Sequence, residues 1–243
     1  MKLDGKTAVV TGGGTGIGAA CALALAREGC RVAIAGRRAE KLAEIARRFE
    51  GSPPLLTHAA DVADRASVAE LFRWAQAELG RVDILVNSAG VNVRGRTVQD
   101  MSPEDWDKVL SINATGAFNC IREVLPQMRQ RRDGLNVNIN STSGVRAGLL
   151  GGVAYSASKF ALAALGITVG QEVRELGIRV TNIYPGEVDT PILDLRPTPV
   201  TAEHRARILQ PEDVAAVLVT IAALPPRANV SEVVVKPTIQ PFS

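Results

Sequence analysis

The sequence predicts an α/β protein, a doubly wound parallel sheet of about seven strands with helices on both faces, built as one domain over residues 1–243. Three observations carry this. Short β-branched apolar runs alternate with longer segments of helical period, the pattern of parallel strands joined by crossover helices. Nearly all the runs are too apolar to keep a face in water, as expected of strands covered by helices on both sides. A length of 243 residues, 46% of them hydrophobic, is enough to bury a large core.

The elements follow in order. A strand at 6–10 runs through a glycine-rich turn into an alanine-rich helix at 16–29. A strand at 31–35 leads to a helix at 38–49, and one at 55–60 to a helix at 64–79 that Asp64 can cap through its side chain. The fourth strand, 82–87, precedes a helix at 103–130 opened by Ser102 as cap and Pro103 in the first turn. The fifth, 135–140, precedes a helix at 153–176; the sixth, 178–184, a helix at 211–224; and the seventh lies at 232–236. Residues 185–200 hold four prolines without a clear period and read as a loop over a site. Asn136, Asn138 and Asn140 alternate with apolar residues toward the end of the fifth strand, unusual for a strand buried on both faces and unexplained by the sequence.

Composition narrows the function classes. A formal net charge of +3 with Lys and Arg spread along the chain indicates neither nucleic acid nor a membrane surface as partner. The sequence reading finds no apolar run approaching the roughly 18 residues of a membrane span. Charges stand in the N-terminus where a signal peptide needs apolar residues, and a cytoplasmic protein is expected. Cys21, Cys30 and Cys120 lack metal-ligand spacing and are expected to be buried free thiols. His58 and His204 have no partners in the sequence, so structural or solvated roles are expected and no metal site.

The chemistry begins after the first strand, at Thr11-Gly12-Gly13-Gly14-Thr15-Gly16-Ile17-Gly18. Glycines there let the backbone approach a pyrophosphate, whose charge meets unpaired N–H groups and the positive end of the helix dipole. Strand, glycine turn and helix together predict a Rossmann-like dinucleotide site, although the spacing Gly-x3-Gly-x-Gly differs from the common Gly-x-Gly-x-x-Gly. The second strand ends in Gly36-Arg37-Arg38, with no carboxylate to accept from a ribose 2′-hydroxyl. Guanidiniums there can pair with a 2′-phosphate, which favours NADP(H); Arg38 is also placed to start a solvated helix.

Two further stretches, Asn87-Ser88-Ala89-Gly90 after the fourth strand and Tyr155-Ser156-Ala157-Ser158-Lys159 opening a long helix, join the glycine turn in a familiar order. Together they resemble the classical short-chain dehydrogenase/reductase family over almost the whole chain. The resemblance implies a catalytic set of Asn113, Ser141, Tyr155 and Lys159. It implies cofactor contacts from Gly12, Thr15, Gly16, Ile17 and Gly18, from Arg37 and Arg38, from Asp61 and Val62 beside the adenine, and from Asn87, Ala89 and Gly90. Tyr155 and Lys159 also belong to that set, with Pro185, Gly186, Val188 and Thr190 near the nicotinamide.

Several roles also follow from the residues. Tyr155 and Lys159, at i and i+4, share a helical face, so an ammonium can favour the phenolate of a group that otherwise titrates near ~10. Ser141 falls at the carboxyl edge of the sheet, where its hydroxyl can hold a carbonyl oxygen, with Thr142 as the alternate. In the family, the residue matching Asn113 interrupts its helix and holds a water linked to the lysine.

The expected activity is NADP(H)-dependent interconversion of a ketone or aldehyde and its alcohol. A catalytically silent dinucleotide sensor would be expected to have lost the tyrosine or the lysine, and this chain keeps both. The tail at 232–240 resembles NADP-dependent 3-hydroxy acid dehydrogenases and related carbonyl reductases. Small-molecule substrate contacts are expected from 91–96, 145–152 and 187–200, where Arg94, Arg96 and Arg146 either bind an acidic group or are solvated. The family resemblance also implies a homo-oligomer, tetramer or dimer, packed through the two long helices.

Overall fold

Strand and helix alternate along the chain, and the structure, a computed structural model describing residues 2–240, folds that alternation into one seven-stranded sheet. In order, the elements are β1 (Thr7–Thr11), α1 (Gly16–Arg27), β2 (Arg31–Gly36), α2 (Ala39–Arg47), β3 (Leu56–Ala59), α3 (Arg65–Leu79), β4 (Ile84–Asn87) and α4 (Pro103–Leu110). They continue as α5 (Gly116–Arg131), β5 (Gly134–Ile139), α6 (Val153–Val173), β6 (Ile178–Pro185), α7 (Ala202–Arg207), α8 (Pro211–Ala222) and β7 (Glu232–Val235). Met1 and residues 241–243 of the expected domain lie outside the described residues.

All neighbouring strands are parallel, in the order β3-β2-β1-β4-β5-β6-β7. Side chains alternate between two buried layers. Ala8, Val10, Val32, Ile34 and Val86 pack with residues of α1, α2 and α8, while Val9, Ala33, Ala35 and Leu85 pack with residues of α3, α5 and α6. The strand order reverses between β1 and β4. At such a switch point the connections leave in opposite directions, opening a crevice beyond the carboxyl ends of the strands.

The helix expected at 103–130 is interrupted by a π-helical turn, Ser111–Thr115, which separates α4 from α5. The break includes Asn113, whose carboxamide bonds outside its own helix. A short helix not read from the sequence, α7, follows the proline-rich loop, which itself contains a 3-10 turn at Pro191–Leu195. A further correction concerns length: Val153–Leu176 is long and apolar enough, by composition alone, to cross a bilayer. Its Ala154, Lys159, Leu162 and Gly166 are nevertheless buried in the protein, as suits a core helix.

One of the three asparagines, Asn138, acquires an explanation from register. Asn87, Asn138 and Asn182 are direct neighbours across β4, β5 and β6. The Asn87 amide donates to Asn138 Oδ1 at 3.0 Å, Asn138 donates to Asn182 Oδ1 at 3.0 Å, and Asn182 donates to the Ala163 carbonyl of α6 at 3.3 Å. This ladder satisfies polar groups in an otherwise apolar layer and ties α6 to the sheet. Gly166 permits the approach, since a Cβ there would lie 2.7 Å from Asn138 Nδ2. Asn136 donates to the Met128 sulfur, at 3.7 Å.

Cys21, Cys30 and Cys120 are buried free thiols, each pushed up to about 12 by burial. His58 stacks on Trp74 with ring centres 4.6 Å apart.

Candidate active site

A cleft of about 400 Å³ runs along the switch point, and its walls come from the ends of β1, β2 and β4. Gly12, at φ +67, turns the chain, and a Cβ there would lie 2.7 Å from the Ala89 nitrogen. A Cβ on Gly18 would collide with the Gly12 carbonyl. Side chains at these two positions would therefore close the turn. Thr15 is the N-cap of α1 but makes no side-chain capping bond, so its hydroxyl and the first N–H groups of the helix are available to an anion.

Arg37 and Arg38 line the far end of the same cleft. Among the described residues neither guanidinium has an ion-pair partner, and the carboxylate that lines the cleft with them is Asp61. Asp61 and Val62 lie alongside; Asp61 accepts from the Ala63 nitrogen at 3.0 Å, which fixes its loop. Ala89 and Gly90 are in the wall, whereas the Asn87 carboxamide lies in the buried asparagine ladder beneath it. This donor set fits a dinucleotide phosphate backbone.

Tyr155 and Lys159 face the near end of the cleft from the first turns of α6. Lys159 is 4% exposed, donates to the Ile139 carbonyl at 2.9 Å, and lies 5.6 Å from the centre of the Tyr155 ring. Burial lowers its pKa to about 8. Burial also pushes the Tyr155 phenol up, opposed by a hydrogen bond with Ser141 and by the Arg96 charge. Ser141 lines the chamber beside the phenol, as do Thr142 and Ser143. It follows β5 with extended backbone, and its Oγ accepts from the Ser143 nitrogen at 3.1 Å.

Asn113 supports this arrangement from the π-helical turn. Its Oδ1 accepts from the Val91 nitrogen at 2.8 Å, and its amide donates to the Val91 carbonyl at 2.9 Å and to Ser158 Oγ at 3.0 Å. Gly90 sits between it and the lysine: a Cβ there would meet Asn113 Oδ1 at 3.7 Å and Lys159 Nζ at 3.8 Å.

A smaller chamber of about 150 Å³ adjoins the phenol, lined by Ser141, Thr142, Leu150, Ile192, Arg96 and Arg196 among others. Pro185, Gly186 and Val188 line this chamber, and Thr190 lines both it and the main cleft. Of the arginines singled out in the sequence only Arg96 reaches it; Arg94 and Arg146 are exposed. Arg96 buckles the three expected substrate segments together, donating to the carbonyls of Val93, Leu150, Gly151 and Leu195. Burial and the Arg196 charge lower its pKa. Arg196 and His204 were not identified in the sequence as site groups. Both pair with Glu187, at 3.1 and 2.7 Å, and Arg205 pairs with Asp189 at 2.6 Å. Burial raises the Glu187 pKa, but His204 and Arg196 outweigh it and hold the carboxylate below its ordinary value. No local sequence pattern signals these pairs, which span 9 to 17 positions: Arg196 meets Glu187 across the loop, and His204 and Arg205 reach back to that loop from α7.

Comparison with known proteins decides the family: the model of the short chain dehydrogenases matches residues 6–199. The chain belongs to the short chain dehydrogenase family. Within it, an uncharacterized oxidoreductase of Staphylococcus saprophyticus is 35% identical over 98% of this chain and 99% of its own. Among solved structures, a metagenomic short-chain oxidoreductase in complex with NADP matches with a TM-score of 0.85 and 32% identity, over 99% of this chain and 100% of the other. A 3-ketoacyl-(acyl-carrier-protein) reductase of Brucella melitensis, complexed with NADH, matches with a TM-score of 0.88 and 26% identity, over 97% and 98%. As a short chain dehydrogenase, this chain is an oxidoreductase that acts on a small molecule with a nucleotide cofactor.

Proposed function

We propose that this short chain dehydrogenase is an NADP(H)-dependent oxidoreductase that interconverts a ketone or aldehyde and its alcohol, with Tyr155 as general acid and base. One observation carries the reading: the Tyr155 phenol stands where the dinucleotide cleft meets the smaller chamber, between the Ser141 hydroxyl and the buried Lys159 ammonium.

The dinucleotide, when bound, supplies or accepts the hydride. Tyr155 gives its proton to the carbonyl oxygen as the alcohol forms and takes it back in the reverse direction. Ser141 donates a hydrogen bond to the same oxygen and stabilises its developing charge. Lys159 favours the phenolate and holds the ribose, while Asn113 positions the water through which the lysine exchanges protons with solvent. Gly12, Thr15, Gly16, Ile17 and Gly18 would hold the pyrophosphate, and Arg37 and Arg38 the 2′-phosphate. Asp61 and Val62 would border the adenine, with Asn87, Ala89 and Gly90 supporting the adjoining wall. Pro185, Gly186, Val188 and Thr190 would receive the nicotinamide.

In this reading residues 1–243 form a single nucleotide-binding domain, working in the cytoplasm as a homo-oligomer, a tetramer or dimer. The half-exposed Phe118 of α5 and the Phe160 and Ile167 of α6 offer an apolar contact between subunits. The test is NADPH oxidation against a panel of ketones and aldehydes, with alcohols and NADP+ for the reverse direction. Turnover of carbonyl compounds with NADPH supports the reading; consistent failure with both nicotinamide cofactors contradicts it.

A further inference from the structure

The smaller chamber carries charge that proton transfer to a neutral ketone does not require. Arg96 and Arg196 line it with a single carboxylate, Glu187, which is engaged by both Arg196 and His204. Among the described residues Arg96 has no acidic partner; its bonds go to main-chain carbonyls, which satisfy N–H groups without neutralising the guanidinium. The lining therefore holds one positive charge in excess even with His204 neutral. In a confined, partly desolvated space such a charge acts more strongly than in bulk water. Arg196 is 15% exposed and meets Glu187 through one terminal nitrogen, so the rest of its donor fork has no partner among the described residues. That fork matches the two oxygens of a carboxylate.

We infer that the chamber selects carbonyl substrates bearing a carboxylate within a few bonds of the reacting carbon, that is, short oxo acids. Arg196 pairs with the carboxylate and Arg96 supplies the attracting field while keeping the chamber walls together. A neutral substrate of the same size leaves that one excess positive charge without a counter-charge. This inference rests on the reading of the site as a carbonyl reductase.

The experiment uses the full-length chain with NADPH and compares pyruvate, acetoacetate and 4-oxopentanoate, each against its own methyl ester. For at least one pair the acid should exceed the ester in kcat/KM by about tenfold or more. Arg196→Gln should bring that ratio toward one, and Arg196→Lys, which keeps the charge, should retain most of it. Esters reduced as well as acids in all three pairs, or a ratio that Arg196→Gln leaves unchanged, overturn the inference while leaving the reductase reading intact. If no compound is reduced, binding of the same six to the NADPH-loaded protein is followed by cofactor fluorescence. A preference for acids that depends on Arg196 then supports the charge selection and no preference overturns it, while the reductase reading is decided separately by the wider ketone and aldehyde panel.

Discussion

The Lys159 ammonium donates to the Ile139 carbonyl at 2.9 Å and lies 5.6 Å from the centre of the Tyr155 ring, so the cation is anchored by the sheet while facing the phenol on its own helix. The Asn87-Asn138-Asn182 ladder, with Gly166, fixes how closely α6 lies on the sheet. Lysine and phenol are therefore held by the same packing.

Burying that ammonium costs stability, and the sign is testable. A lysine held at about 8 in the folded chain, against 10.5 ordinarily, binds its proton less well folded than unfolded. Between those values the unfolded chain carries more protons, so stability rises with pH across the window; below pH ~8 the penalty stands in full. Lys159→Met, without cofactor, should gain on the order of 2 kcal/mol over the wild type at pH 7, and the gap should narrow toward pH ~10. Urea unfolding at the two pH values checks this; a gap independent of pH contradicts it.

The asparagine ladder predicts a different cost. Asn138→Ala leaves the Asn87 amide nitrogen and Asn182 Oδ1 without their partner in a buried layer. At roughly 1–3 kcal/mol for each orphaned group, the loss should be about 3 kcal/mol. For a chain of this size the melting temperature should fall by roughly 6–12 °C. Calorimetry measures it directly, and a fall under about 2 °C would mean that the ladder contributes little.

For the cofactor, Arg37→Asp should weaken NADPH binding by roughly 10- to 100-fold, the worth of one charge-assisted pair, and weaken NADH binding far less. Fluorescence titration of both nucleotides separates the outcomes. Equal affinity of the wild type for the two would contradict the role given to Arg37.

Much of this architecture was legible because it repeats local rules. β-branched runs marked all seven strands; the strand-turn-helix context marked the glycine turn, the end of the second strand marked Arg37, and Tyr155 and Lys159 stood out only in combination with the other family motifs. What stayed hidden depends on neighbours distant in sequence. Asn138 makes sense only once register sets it between Asn87 and Asn182. The break at Ser111–Thr115 divides a segment whose apolar period runs through it, and only the family resemblance pointed to it. Arg196 carries no signal in the sequence, and its pairing with Glu187 exists only in the fold.

The central claim is that the Tyr155 hydroxyl moves the proton. The most direct measurement is the NADPH-dependent reduction rate of Tyr155→Phe beside its NADPH affinity, since the substitution removes one oxygen and leaves the ring. The account predicts a fall in kcat of about 10²–10⁴-fold with NADPH binding changed little. Undiminished turnover would contradict it.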